Sequence, residues 1–260
     1  MSGTTAFSTP AGRVSALGRA EATLFLRSRG MVFSAVFLPL VLPFSVKAAI
    51  QDLDLGKSGL TVGLVLLPAA IGFSLLFAVY TALVGVFVGR REELVLKRLR
   101  TGEVRDAEIL AGAALPAVVT SIVQSVLLVI GCSVLLDMAA PKAVALAVLG
   151  LLLGLVICAS LAALTASFTR TVESAQVTGL PLMLVSMLGS GITVPLEVLP
   201  DRMASLCELL PLTPVITLVR GGWTGDLSAY EVLGAALTAL AWAALGVFAV
   251  RRWFRWEPRR

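Results

Sequence analysis

Six stretches free of Asp, Glu, Lys and Arg divide this 260-residue chain: 30–46, 58–89, 109–136, 143–169, 174–196 and 232–250. Each approaches or exceeds the ~18–20 residues that a helix needs to cross a hydrocarbon core of about 30 Å. In that medium every backbone N–H and C=O must be satisfied within the element, so spanning helices are the expected form. The period-two alternation of a membrane barrel is absent. A content of 58% hydrophobic and 14% charged residues, with a mean hydropathy of +0.95, lies outside the soluble range. The expectation is an all-α integral membrane protein of six transmembrane helices. Residues 30–250 would form its membrane domain, 1–29 an N-terminal cytoplasmic tail with an amphipathic helix, and 251–260 a basic cytoplasmic tail.

Orientation follows from the basic residues. With both termini cytoplasmic, sixteen of the twenty-one Lys and Arg side chains lie inside and only Lys47, Lys57, Lys142, Arg202 and Arg220 lie outside, while acidic residues divide evenly. This is the positive-inside pattern, so the net charge of +5 reads as a topology signal. No basic patch with interleaved aromatics calls for a nucleic-acid partner. Arg251, Arg252 and Arg255 with Trp253 and Trp256 suit the anionic inner face of a plasma membrane.

Several chemistries are excluded. Histidine is absent, which removes His-ligated metals and His-dependent hydrolases. Cys132, Cys158 and Cys207 are scattered, without the spacing of a metal site or a disulfide framework. Gly56-Lys57-Ser58 imitates the end of a phosphate-binding loop, but Gln51 stands where that motif needs its first Gly. No nucleotide, metal or other cofactor is therefore expected on this chain. Gly189-Ser190-Gly191 faintly resembles a serine nucleophile motif but has no His base. The charge-free runs also offer no mid-membrane ionisable group of the kind that marks ion and proton pathways. An ion-coupled carrier and a non-transporting membrane subunit are the alternatives to an ATP-driven transporter.

Residues 13–29 have Val14, Leu17, Leu24 and Phe25 to one side and Arg13, Arg19, Glu21 and Arg27 to the other, a pattern expected of a helix lying in the membrane interface. The second apolar run, thirty-two residues long, would span ~48 Å as a helix. It must tilt, bend at Pro68 or project toward Arg90. Gly59/Gly63, Gly85/Gly89 and Gly150/Gly154 share small-xxx-small spacing and read as close packing. Thr120, Ser121, Gln124 and Ser125 form the densest polar cluster at mid-depth. They are a candidate translocation path, with helix-to-helix hydrogen bonding as the commoner use of such residues.

Two polar intervals remain. In 88–116, residues 90–100 have helical periodicity, with Leu94, Leu96 and Leu99 as an apolar face and Arg90, Arg91, Glu92, Glu93, Lys97, Arg98 and Arg100 around it. Thr101-Gly102 ends that helix, and Asp106 and Glu108 favour the start of the next. In 190–225, Pro195, Pro200, Pro211 and Pro214 break an apolar block into pieces too short to span. A helical hairpin that enters the outer leaflet and returns is expected, with Arg220 and Trp223 near the interface.

Both intervals resemble the ABC type-2 exporter permeases. The first carries E-E-x-x-x-K-R-L-R-x-G over 92–102. The second carries S-G-x-x-x-P-L-E-x-L-P and then L-P-L-T-P, matching Ser190, Gly191, Pro195, Leu196, Glu197, Pro200, Pro211, Leu212, Thr213, Pro214 and Arg220. Thr101-Gly102 and Pro214 depart from the Thr-Pro and the aromatic residue common in that family. The resemblance implies that residues 88–110 couple to a separate ATPase through a cytoplasmic coupling helix at 90–100. It also implies a re-entrant outer hairpin between the fifth and sixth spans. It further implies two ATPase subunits carrying the ATP and Mg, a second permease copy, most simply in a homodimer, and a small hydrophobic or amphiphilic substrate such as a drug, antibiotic or lipid.

Overall fold

The computed structural model describes residues 9–27, 29, 30, 33, 41, 62–101, 104–136, 138–193, 196 and 200–257. Helices dominate, and no strand occurs among these residues. They are α1 (Pro10–Arg27), α2 (Val62–Glu92), α3 (Val95–Arg100), α4 (Asp106–Leu135), α5 (Val144–Phe168), α6 (Val172–Gly189), α7 (Asp201–Cys207), α8 (Thr213–Thr224) and α9 (Ala229–Trp253). Five of them, α2, α4, α5, α6 and α9, are long and apolar enough to cross a membrane. The first expected span, 30–46, lies almost wholly outside the described residues.

Helix α2 is the centre of the bundle. Of its most apolar stretch 83% is buried, against 17–39% for the other four long helices. Leu66, Leu75, Leu83 and Phe87 of α2 meet Leu128 of α4, Ile157 of α5 and Val215 and Leu218 of α8 in one continuous core. The outer helices turn large apolar side chains outward, among them Val123 and Ile130 on α4, Leu152 on α5, Leu184 on α6 and Phe248 on α9. In water such a surface would aggregate, whereas against lipid tails it costs nothing.

At 31 residues α2 is ~46 Å long, well beyond the ~30 Å core. It continues through Pro68 and widens into π-helical turns over Leu75–Thr81. There the Thr81 hydroxyl donates to Leu76 O five residues back, at 2.9 Å. From this wide segment the Tyr80 hydroxyl lies 3.0 Å from Thr165 Oγ1 and donates to Gly179 O at 3.3 Å, tying α2 to both α5 and α6.

The short pieces after α6 form a helix–turn–helix. Thr213 Oγ1 donates to Cys207 O (2.5 Å), closing the turn, and Pro214 opens α8 in the first turn, where its missing N–H is harmless. At 12 residues, or ~18 Å, α8 cannot cross the bilayer. It is buried against α2, α5 and α9. A Cβ at Gly150 would fall 3.0 Å from Val215 O, and one at Gly154 2.9 Å from Val215 Cγ1. That glycine pair therefore does what its spacing implies and brings α5 close to α8. Gly85, with the same spacing to Gly89, faces open space instead.

Candidate functional site

The site grows out of the lower end of α2. The sequence suggests one helix over 90–100, and the structure corrects this. Helix α2 ends at Glu92, Leu94 takes a left-handed conformation (φ 60°), and α3 begins at Val95. The reason lies in Arg91 and Leu96, both only 1% exposed. On an unbroken helix they would point about 140° apart, so one of them would be turned away from the bundle. The elbow at Leu94 lets both point inward, although an αL leucine is unfavourable by ~1–2 kcal/mol.

Arg91 is one of the residues read from sequence as surface. Its guanidinium instead donates to Ala166 O (2.7 Å) and Thr169 O (2.5 Å) at the C-terminal end of α5. Carbonyls at a helix C-terminus have no intrahelical donor and carry the negative end of the helix dipole, so a buried cation is well placed there. Arg90 also faces inward. It holds Glu21 of α1 through Nε and Nη2 at 2.8 and 2.7 Å, and Glu93 through Nη1 at 2.9 Å. A second two-pronged pair joins Arg13 of α1 to Glu108 of α4, with both contacts at 2.9 Å. Glu108 in turn accepts from the backbone N–H of Arg105 at 3.2 Å, capping α4.

Helix α1 is therefore braced against the bundle at two points rather than lying apart from it. Close packing completes the brace. A Cβ on Gly112 would fall 2.6 Å from Leu17 Cβ, and one on Gly18 would meet Leu115 Cδ2 at 2.2 Å. The sequence reading missed Arg13, Glu21 and Glu108 as site residues. Their type gave no signal, because amphipathic periodicity is the same whether the polar face meets water or an opposite charge.

The rest of the elbow faces outward. Glu92, Glu93, Leu94, Lys97, Arg98 and Arg100 are exposed, with the Leu94 side chain as an apolar tip 39% exposed. Leu99 is half-buried beside Leu96. Lys97 pairs with Glu257 (2.8 Å) and Arg100 with Asp106 (3.2 Å), and Arg100 also lies over the Trp256 ring at 5.0 Å. These exposed pairs contribute little to stability, typically ~0–1 kcal/mol, and leave the surface free to exchange partners.

The other sequence-selected residues fall in two places. Ser121 and Gln124 of α4 meet Ser74 of α2, whose hydroxyl is 3.0 Å from Ser121 Oγ and donates to Gln124 Oε1 at 2.7 Å. Ser125 donates to Ser121 O and Thr120 to Pro116 O, each at 2.8 Å. Ser121 and Gln124 thus join α2 to α4, while Ser125 and Thr120 bond back within α4. In the hairpin region, Ser190 and Gly191 (φ 71°) line a small cavity of about 90 Å³ together with Arg220. Pro200 caps α7, and Pro211, Thr213 and Pro214 are buried at the turn into α8. Trp223, expected near the interface, is only 8% exposed, packed inside rather than at a surface. Pro195, Glu197 and Gly102 lie outside the described residues.

No curated protein matches the chain. A family model described as ABC-2 type transporter matches residues 13–223, a span running from α1 to the end of α8 that takes in both the elbow and the hairpin. With that much of its length matched, the chain belongs to the ABC-2 type transporter family and is a multi-pass membrane permease.

Proposed function

We propose that this permease is the membrane subunit of an ATP-driven exporter of hydrophobic or amphiphilic compounds, coupled through residues 88–110 to a separate ATPase on the cytoplasmic side. Two permease copies and two ATPase subunits form the working unit, with ATP and Mg held by the ATPases. The observation that carries this reading is the continuity between an exposed elbow and a buried shaft. Residues that face outward at 92–100 belong to the same chain segment as the most buried helix of the bundle.

The parts have distinct roles. Lys97, Arg98 and Arg100, with Glu92 and Glu93, meet complementary charges on the ATPase and fix its register. Leu94 inserts as the apolar tip. Leu96 and Leu99 seat α3 on the bundle. Arg90 and Arg91 act from within, joining the elbow to α1 and to the lower end of α5. Closure of the ATPases then moves α1, α2 and the end of α5 as one body, and the two bundles alternate between inward-open and outward-open states. The charge-free spans favour greasy cargo over small ions.

The test is the double reversal of Arg98 and Arg100 to Glu in the assembled transporter. Membrane insertion and ATP hydrolysis are expected to persist, with export of the cargo lost. Unchanged export in that variant, or export driven by an ion gradient with no ATPase present, overturns the reading.

A further inference from the structure

A groove of about 520 Å³ opens on the outside of the bundle between α4 and α9, at the same end as the elbow. Its floor is apolar, formed by Leu110 and Ala114 of α4 and by Ala159 and Ala163 of α5. Val156 and Val247 on its walls are 43% and 37% exposed, so it faces the surroundings and not the bundle interior. Its polar end has a definite sign. Arg105 precedes the first turn of α4 and Arg251 lies in the last turn of α9, both exposed and both lining the groove. One acid, Asp106, lines the same end and pairs with Arg100 outside the groove, so two cations face a single carboxylate. Trp256 completes that end, an amphipathic ring of the kind that sits at headgroup depth.

An apolar trough closed at one end by two cations and an indole matches one shape of ligand, an acyl chain carrying an anionic head. The volume falls within the ~300–1,000 Å³ of sites that enclose small amphiphiles. Basic pockets between helices at headgroup level are where anionic lipids are held selectively. We infer that this groove binds one anionic phospholipid, with its phosphate between Arg105 and Arg251 and an acyl chain along α5. The site requires only that the bundle sit in a bilayer, so it stands or falls separately from the coupling reading.

The experiment uses the full chain purified in detergent, with native mass spectrometry during titration with phosphatidylglycerol or with phosphatidylcholine of the same acyl chains. One phosphatidylglycerol per chain is expected to be retained in preference to phosphatidylcholine. Arg105→Gln with Arg251→Gln should lower that preference on the order of tenfold or more. Arg252→Gln with Arg255→Gln, an equal loss of charge outside the groove, should leave it unchanged. Ala111→Phe, at an exposed position on the groove wall, should displace the bound lipid without disturbing the core. Equal retention of the two lipids by the unaltered chain overturns the proposal. So does an equal effect of the two arginine pairs, or a groove that is closed by a second copy and carries no lipid.

Discussion

Arg91 is the residue on which the lower end of the permease depends most. It is 1% exposed, and its guanidinium donates to two carbonyls at the end of α5, of which Ala166 O also accepts the Thr169 N–H at 3.2 Å. Replacing it by Met keeps the length and removes its hydrogen bonds to both carbonyls, a loss of about 1–3 kcal/mol. Arg91→Lys is expected to recover less than half of that loss, because a single ammonium cannot reach two carbonyls with the planar fork of an arginine. Thermal unfolding of the purified variants in one detergent checks both, and a Met variant as stable as the parent sinks the assignment. Nothing in the sequence separates Arg91 from Arg90 or Arg98. Its partners are backbone oxygens 75 and 78 residues away, and backbone oxygens carry no residue type to read. Ser74 was hidden for a similar reason, being one small hydroxyl in a long apolar run. The Ser121 and Gln124 half of the same contact was visible, because two polar residues one turn apart stand out in a spanning helix.

At the scale of elements, α1 is the informative case. Its periodicity gave the helix, and the helix is there from Pro10 to Arg27. What periodicity did not give is the surface it meets. The pairs Arg13–Glu108 and Glu21–Arg90 strap it to α4 and α2, and Gly112 lets Leu17 approach closely. Reversing either partner of the second strap, by Glu21→Arg or by Arg90→Glu, places like charges together and is expected to loosen α1 and weaken transport. Making both changes together should restore much of the loss, with a coupling energy of ~1–3 kcal/mol in a double-mutant cycle. Strictly additive losses would mean that the two side chains do not act on each other. The elbow illustrates the other limit of sequence reading. Leu96 and Leu99 were correctly seen as helical, but the break at Leu94 was not, because Leu94 is neither Gly nor Asn and nothing local marks it for a left-handed turn.

For the whole molecule, five of the six long charge-free runs coincide with long helices among the described residues, since the bilayer demands both length and internal hydrogen bonding of any spanning segment. Their order in space was not legible, because a span that faces lipid is as apolar as one that faces protein. That distinction is now measurable. Leu83→Ala in the middle of α2, where the side chain is fully enclosed, is expected to cost about 2–5 kcal/mol, while Val123→Ala on the outside of α4 should stay within ~0.5 kcal/mol. Equal losses in detergent melts would mean that α2 is not the inner shaft. The wide turns at Leu75–Thr81 give that shaft one more property. They store a surplus residue in its winding, so excising a single position there returns the segment to ordinary pitch. The half that ends in Arg90 and Arg91 would then keep nearly its present phase, whereas excising one residue from the regular turns just below, at Gly85, would rotate that half by ~100°. Such a chain should still insert and still hold its upper contacts to α8, yet the elbow would be dialled away from Glu21 and from the end of α5, and under the proposed coupling a partner ATPase would turn over with nothing to drive.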